Sequence, residues 1–398
     1  MNKTILALAL MSVILVGACS SANSAYTNAQ KQTPIKVGGL FALSGKLASV
    51  GTTEARFAQI AIDEINNAGG VDGRKINFIL EDDKCSGSDA VNGANKLISQ
   101  DKVQFILGPG CTPASVAVAP VANENKVFMI AATTTAKDVF DNYEYAFRTS
   151  PESTDAAVLI AKIAKQKYNL NNVAIIVEQN DFAKSWAKDF KDSFTEKGGN
   201  GKLGSIIFEE SYAPNTNDFR TLLSKIPENV EGVFISSQAP ISAGNIVKQM
   251  KELGLLGEEG KTRSKVKIMG APTLIDTEAY KASGETLPED AFTVSPYAMN
   301  DKLLNKYKSA YGEEPGFTFF YTASMYDAVY LLKEALEVCG EESASTCVKD
   351  YFTNDIEDRE GEVATWSFDA NGDPILPAEN YKELSIVEGK KVFSSIES

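Results

Sequence analysis

The chain has 398 residues, 43% of them hydrophobic and 23% charged, with a formal net charge of −14. That length allows two domains with full cores, and so acidic a balance argues against a nucleic-acid partner, which requires clustered Lys and Arg. Histidine is absent, which removes His-ligated zinc, Ser-His-Asp and Cys-His machinery, and imidazole acid–base work together.

The chain opens on Lys3 and the apolar run ILALALMSVILVG, too short to span and stay in a bilayer. It ends in VGAC, Val16 to Cys19, which resembles the lipobox of bacterial lipoproteins. That resemblance implies cleavage before Cys19 and acylation of its thiol. Residues 1–18 then read as a signal peptide, and 19–33 as the lipidated cysteine and a small, polar, aperiodic tether. The expected location is the periplasmic or cell-surface face of a bacterial membrane. No other stretch is long and apolar enough to cross a bilayer.

From Pro34 short apolar runs alternate with helix-period segments. IKVGGLFA reads as a strand; Ala58, Ala61, Ile62 and Ile65 then share one helical face that stops at Gly69-Gly70. KINFILEDD is a strand, followed by a helix with Ala90, Ala94, Leu97 and Ile98 inward. VQFILG, a helix from about Pro113, and VFMIAA continue the series. After FRTSPES the alternation restarts, with NVAIIVE, GSIIFEE, GVFISS and VKIMG as strands between helices. Helices are then expected around 302–310 and 324–337, before strand-like EVATWSFDANGDP and KELSIVEGKKVF. The pattern predicts an α/β fold of two doubly wound Rossmann-like lobes with parallel sheets.

Cys19 apart, four cysteines remain, and export makes disulfides permissible. Three pairings exist. Cys339 and Cys347 close a small polar loop. Cys85 and Cys111 each follow a strand-like run, and such run ends lie at one sheet edge, so Cys111 reads as a staple more readily than as a nucleophile. The glycines of ILGPGCTPAS lack the spacing or the lysine of a phosphate cradle. What remains is a helix start, with Thr112 as N-cap and Pro113 behind it, offering a hydroxyl and free amides to an anion or merely to its own helix. AATTTAKD offers three more hydroxyls after the next strand. Glu81–Asp83 reads as a solvated acidic loop in preference to a cation site.

IKVGGLFALSGKLASVG, INNAGGVDGRKI with its DDKC end, GPGCT, MIAATTT, FRTSPES and VAIIVEQNDFAKS, in this order, resemble the branched-chain amino-acid (Leu/Ile/Val-type) substrate-binding proteins of ABC importers. The resemblance covers nearly everything from Pro34 to about Phe393. It implies the type I periplasmic-binding-protein fold, its lobes joined by three crossover segments, and a Cys85–Cys111 disulfide. Lobe boundaries are expected at 34–149 plus 297–359 and at 150–296 plus 360–398. The ligand site it implies comprises Ser44, Thr112, Thr133, Thr134, Thr135, Phe182 and Gln238. Thr112 falls where a hydroxyl binds the ligand's α-carboxylate. Thr133 and Thr135 fall around the carboxylate and ammonium. Phe182 replaces a tyrosine that covers the ligand, and Gln238 falls near another. Two departures stand out. Pro272 occupies the place of a glutamate that holds the α-ammonium, and Val50 stands where some relatives carry an aromatic.

The function so implied is a lipid-anchored, monomeric receptor without cofactor, metal or chemistry of its own. It would close its lobes on a small polar solute, an amino acid or related amide or carboxylate, and deliver it to ABC permease subunits in the membrane. A ligand-sensing receptor of the same fold, without transport, is the alternative.

Overall fold

The computed structural model describes residues 33–196, 204–257, 265–285, 287–298, 300–315, 319–340, 344–387 and 390–396. Cys19 and its tether lie outside them.

Five strands build the first sheet: β1 (Ile35–Phe41), β2 (Ile76–Asp82), β3 (Phe105–Leu107), β4 (Phe128–Ala131) and β5 (Ala146–Arg148). All are parallel, in the order β2-β1-β3-β4-β5. Parallel neighbours need crossovers, and the helices α1 (Ala48–Asn67), α2 (Gly87–Lys96) and α3 (Thr112–Glu124) supply them. The 3.6-residue spacing of Phe57, Ala58, Ala61, Ile62 and Ile65 buries one stripe of α1 in the core.

The second sheet repeats that winding. Strands β6 (Asn172–Glu178), β7 (Ser205–Tyr212), β8 (Gly232–Ser236), β9 (Lys267–Gly270) and β10 (Phe292–Pro296) run β7-β6-β8-β9-β10. Helices α4 (Ser153–Gln166), α5 (Asp181–Thr195), α6 (Arg220–Leu223), α7 (Pro240–Glu252) and α8 (Thr277–Ala282) complete the lobe. Each β6, β8 and β10 strand is a buried β-branched or aromatic run, as a sheet covered on both faces requires.

The rest of the chain returns to the first lobe. Helices α9 (Asp301–Tyr311), α10 (Phe319–Cys339) and α11 (Ser345–Asn354) pack there, with α10 against α1. The short hairpin β11 (Arg359–Glu360) and β12 (Thr365–Trp366) follows. Finally β13 (Tyr381–Val387) and β14 (Lys390–Ser395) join the second sheet antiparallel, which makes that sheet mixed where the sequence predicts it parallel.

The boundary expected at 359/360 is also corrected. Val363, Trp366 and Phe368 pack in the first lobe's core. Asp327 of α10 holds them: it accepts the Trp366 indole N–H at 2.8 Å and the amides of Glu362 and Val363 at 2.9 and 2.8 Å. The chain therefore crosses only after Phe368.

The three crossovers lie side by side. Arg148 N donates to Gly372 O at 3.0 Å, and Tyr297 N donates to Asn380 O at 2.7 Å. The Arg148 side chain, fully buried, ties the first to the third. Its Nε meets Asp373 Oδ1 at 2.5 Å, its Nη2 meets Glu152 Oε1 at 2.8 Å, and its Nη1 donates to Ala136 O at 2.7 Å. Both predicted disulfides are present, Cys85–Cys111 at the carboxyl edge of the first sheet and Cys339–Cys347 closing α10 onto α11.

Candidate functional site

In both sheets the parallel strands end toward the cleft, so the loops at their carboxyl edges face one another. This is where open α/β sheets hold ligands. A narrow cavity lies between them. The first lobe contributes Leu47, Val50, Gly110, Cys111, Thr133, Thr135 and Tyr321; the second contributes Phe182, Trp186, Gln238, Pro272 and Thr273. No charged side chain is among these residues.

Close packing behind the cavity sets its floor. At Gly51, in the first turn of α1, a methyl would stand 2.3 Å from the Ala42 carbonyl oxygen. Only glycine lets α1 approach the end of β1 so closely, and this approach brings Val50 to the cavity wall and Glu54 beneath it. Gly108 takes φ +101°, with space for a side chain blocked by Leu40 O at 2.1 Å, and turns β3 into the Gly110–Cys111 corner.

The predicted site residues separate into two groups. Thr133, Thr135, Phe182 and Gln238 line the cavity. Thr133 Oγ1 lies 3.0 Å from Glu54 Oε2. Thr135 Oγ1 accepts the Trp186 indole N–H at 2.9 Å, a bond that crosses the cleft. The Gln238 backbone N–H donates to Glu178 Oε2 at 2.7 Å. Ser44, Thr112 and Thr134 are not in the lining. Ser44 is exposed and donates to Asp82 Oδ2 at 2.6 Å, while Thr134 pairs with Ser115 on α3 at 2.6 Å.

Thr112 is a correction of a different kind. The N-cap of α3 is Cys111, Thr112 is the first helical residue, and no side-chain capping bond forms. The Thr112 hydroxyl is fully buried behind Cys111, and among the described residues it has no hydrogen-bond partner. A satisfied cap is therefore not its role here. The acidic Glu81–Asp83 stretch is no solvated loop either. Asp82 accepts from the Leu43 amide at 2.9 Å and from Ser44, and Asp83 is fully buried, accepting the amides of Cys85 at 2.7 Å and Gly110 at 3.2 Å.

Burial dominates the electrostatics. Glu54, fully buried, is pushed up to about 8 by desolvation against the opposing Thr133 and Ala132 contacts, with Asp83 adding to the rise. Asp83 is pushed up to about 6 by the same cause. In the second lobe burial raises Glu178, opposed by the amides of Gln238 and Ala239. Burial likewise raises the Tyr321 phenol.

Sequence reasoning missed Trp186, Tyr321 and Thr273. Trp186 had a signal, since it lies four positions after Phe182 and so shares its helix face. Tyr321 had none: it comes from α10, far along the chain, and only the fold brings it to the cleft. Thr273, bonded through its hydroxyl to Ser237 O at 2.5 Å, follows Pro272 in the stretch already singled out.

Across the mouth, Lys46 Nζ of the first lobe donates to the carbonyls of Pro214 at 2.8 Å and Thr216 at 3.3 Å in the second. The Lys137 amide donates to Ser185 Oγ at 3.0 Å. The lobes thus touch on both sides of the cavity.

Comparison with known proteins agrees with this architecture. The model of the periplasmic binding protein family matches residues 34–367. The leucine-, isoleucine-, valine-, threonine- and alanine-binding protein of Pseudomonas aeruginosa is 27% identical over 345 residues, 85% of this chain and 87% of its own. The branched-chain amino acid transporter substrate binding protein LivJ of Streptococcus pneumoniae, solved with isoleucine, superposes with a TM-score of 0.79 at 24% identity, covering 91% of this chain and 100% of its own. An ABC-transporter solute binding protein of Rhodopseudomonas palustris, solved with 3,4-dihydroxy benzoic acid, gives 0.75 at 24% identity, covering 91% and 96%. These two structural likenesses establish the fold. With the family model spanning most of the chain, the chain belongs to the periplasmic binding protein family, a family of solute-binding proteins and not of enzymes.

Proposed function

We propose that the protein is the receptor of an ABC importer, held at the outer face of a membrane by a lipid on Cys19, and that its solute is a small organic acid or amide in preference to an α-amino acid. The observation that carries the ligand class is the composition of the cavity. An α-ammonium group removed from water needs a carboxylate partner, and the wall offers Pro272 where the amino-acid binders hold a glutamate. What it does offer is an apolar body of Leu47, Val50, Phe182, Trp186 and Pro272, with hydroxyls at Thr133, Thr135 and Thr273 and an amide at Gln238. An apolar enclosure with a few convergent polar groups suits an amphipathic acid or amide. The Gly110–Cys111 corner at the start of α3 lies in the same wall, and the amides of a helix start favour the oxygen-rich end of such a solute. That solved relatives of this fold hold isoleucine in one case and a dihydroxybenzoic acid in another supports a scaffold that takes either class.

The mechanism is a shift of population toward joined lobes. Solute touching walls from both lobes binds the joined form more tightly than the parted one, and that difference is the whole of the bias. Calorimetry on the mature protein with isoleucine, leucine, benzoate, benzamide and short aliphatic acids and amides tests the reading. Binding of acids or amides without binding of isoleucine or leucine supports it. Submicromolar binding of isoleucine or leucine overturns the ligand class.

A further inference from the structure

Glu54 is a buried carboxyl with no cation paired to it among the described residues. It projects from α1 beneath the cavity floor, with Oε1 3.3 Å from the Ala132 amide and Oε2 3.0 Å from the Thr133 hydroxyl. Gly110 packs against it from the β3 loop, where a methyl would stand 3.2 Å from Oε2. The charge that acts on it from the neighbouring elements is another acid, Asp83 at the end of β2, itself flanked by Asp82 and Asp89. The adjacent cystine Cys85–Cys111 does not titrate. A carboxylate desolvated in this way, facing acids and one backbone N–H, keeps a proton far more readily than one in water.

Thr133 connects that proton to the ligand, because its hydroxyl has one hydrogen and faces Glu54 on one side and the cavity on the other. If Glu54 is ionised it takes the Thr133 hydrogen, and Thr133 can only accept from the ligand. If Glu54 is protonated, its own O–H donates to Thr133 Oγ1, and the Thr133 hydrogen is released toward the cavity. We propose that Glu54 holds a proton at neutral pH and thereby makes Thr133 a hydrogen-bond donor toward the cleft, so that binding an anionic ligand requires this proton to stay in place. Glu54 is a positioning residue, acting through Thr133. The inference rests on the acid-or-amide reading above only for the choice of probes.

Glu54→Gln is the informative variant, because its amide oxygen still accepts from Ala132 and its NH₂ donates to Thr133 as the protonated acid would. A ligand-free arm follows thermal unfolding of wild type and Glu54→Gln between pH 5 and 9. Burial raises Glu54 from its ordinary 4.5 to about 8. The folded state therefore binds more protons than the unfolded one in that window, and stability falls as pH rises toward 8. Wild type should lose melting temperature relative to Glu54→Gln across the window. Parallel curves overturn the proposal. A binding arm uses benzoate and its uncharged isostere benzamide, by calorimetry from pH 6 to 9.5. Benzoate affinity should hold to about pH 8 and then fall about tenfold per pH unit, while benzamide, whose NH₂ can serve an acceptor, varies less than threefold. Glu54→Gln should flatten the benzoate profile. A benzoate affinity that ignores pH in wild type also overturns the proposal. If neither probe binds, the acid-or-amide reading fails and the ligand-free arm decides the proton on its own. Should Glu54→Gln not fold, the infrared band of a protonated carboxyl in wild type, its presence at pH 6.5 and loss above pH 9, replaces the first arm, and its absence at pH 6.5 is fatal.

Discussion

The indole N–H of Trp186 donates to the hydroxyl of Thr135 at 2.9 Å, joining α5 of the second lobe to the loop after β4 in the first. Both residues line the cavity. The bond uses an acceptor lone pair of Thr135 and leaves its hydrogen for a solute, so lobe contact and ligand contact share one hydroxyl. Trp186→Phe keeps a ring and removes the donor. A hydrogen bond of this kind contributes about 0.5–1.5 kcal/mol, so calorimetry should show affinity reduced about two- to tenfold with the enthalpy less favourable.

Thr112 gives a prediction for stability that is separate from binding. Its buried hydroxyl has no partner among the described residues, and a buried unsatisfied polar group costs about 1–3 kcal/mol. Thr112→Val removes it at nearly constant shape. Urea unfolding of the ligand-free variant should show stability unchanged or raised by up to about 1 kcal/mol, while affinity for the solute stays within about threefold, because the hydroxyl stands behind the cavity wall. Lowered stability would return Thr112 to a helix-start role.

Lys46 bridges the lobes at the mouth without lining the cavity. In Lys46→Met the joined form loses its two carbonyl contacts, and the parted form loses nothing. Because the group is half-exposed, about 1 kcal/mol is the appropriate size. Affinity should fall about fivefold, the ligand-free melting temperature should stay within about 2 °C, and small-angle scattering should report a larger radius of gyration at subsaturating solute.

Arg148 is the tie between crossovers. Fully buried, it is met by Asp373, Glu152 and the carbonyl of Ala136. Arg148→Met leaves two carboxyl groups half-buried beside each other without their cation. Removing one partner of a buried pair costs about 3–5 kcal/mol. Denaturant unfolding should register that loss. Arg148→Lys should recover little of it, since an ammonium cannot meet three acceptors along a planar fork.

Cys19→Ser tests the anchor. The acyl chains proposed on Cys19 would supply the membrane affinity; no helix among the described residues is long and apolar enough to cross a membrane. The variant should move to the soluble fraction on cell fractionation, with affinity for the solute unchanged.

What the sequence determined on its own was whatever depends on neighbours along the chain. Strand–helix alternation is local patterning, and the strands and most helices form where the apolar periodicity predicts them. The cysteine pairs were legible because two of the four follow strand-like runs and two bracket a short loop. Thr133 and Thr135 were legible because the end of a parallel strand points to the cleft whatever surrounds it.

The tertiary structure alone decided which side chains in those loops face the cavity. Thr133, Thr134 and Thr135 are adjacent, yet the middle one turns to Ser115 while its neighbours line the cavity. Tyr321 enters the cavity from a helix nearly 200 residues beyond Thr135 in sequence, and no local pattern records that approach. The third crossover moved from Glu360 to beyond Phe368 because a single buried carboxylate, Asp327, gathers the indole of Trp366 and two amides into the first lobe. Most of all, no local pattern marks Glu54 as a carboxyl beneath a cavity. It is the close approach allowed by Gly51 that buries it under Thr133 and sets it against Asp83, since the state of a carboxyl group depends on its surroundings in space and these are fixed only when the chain has folded.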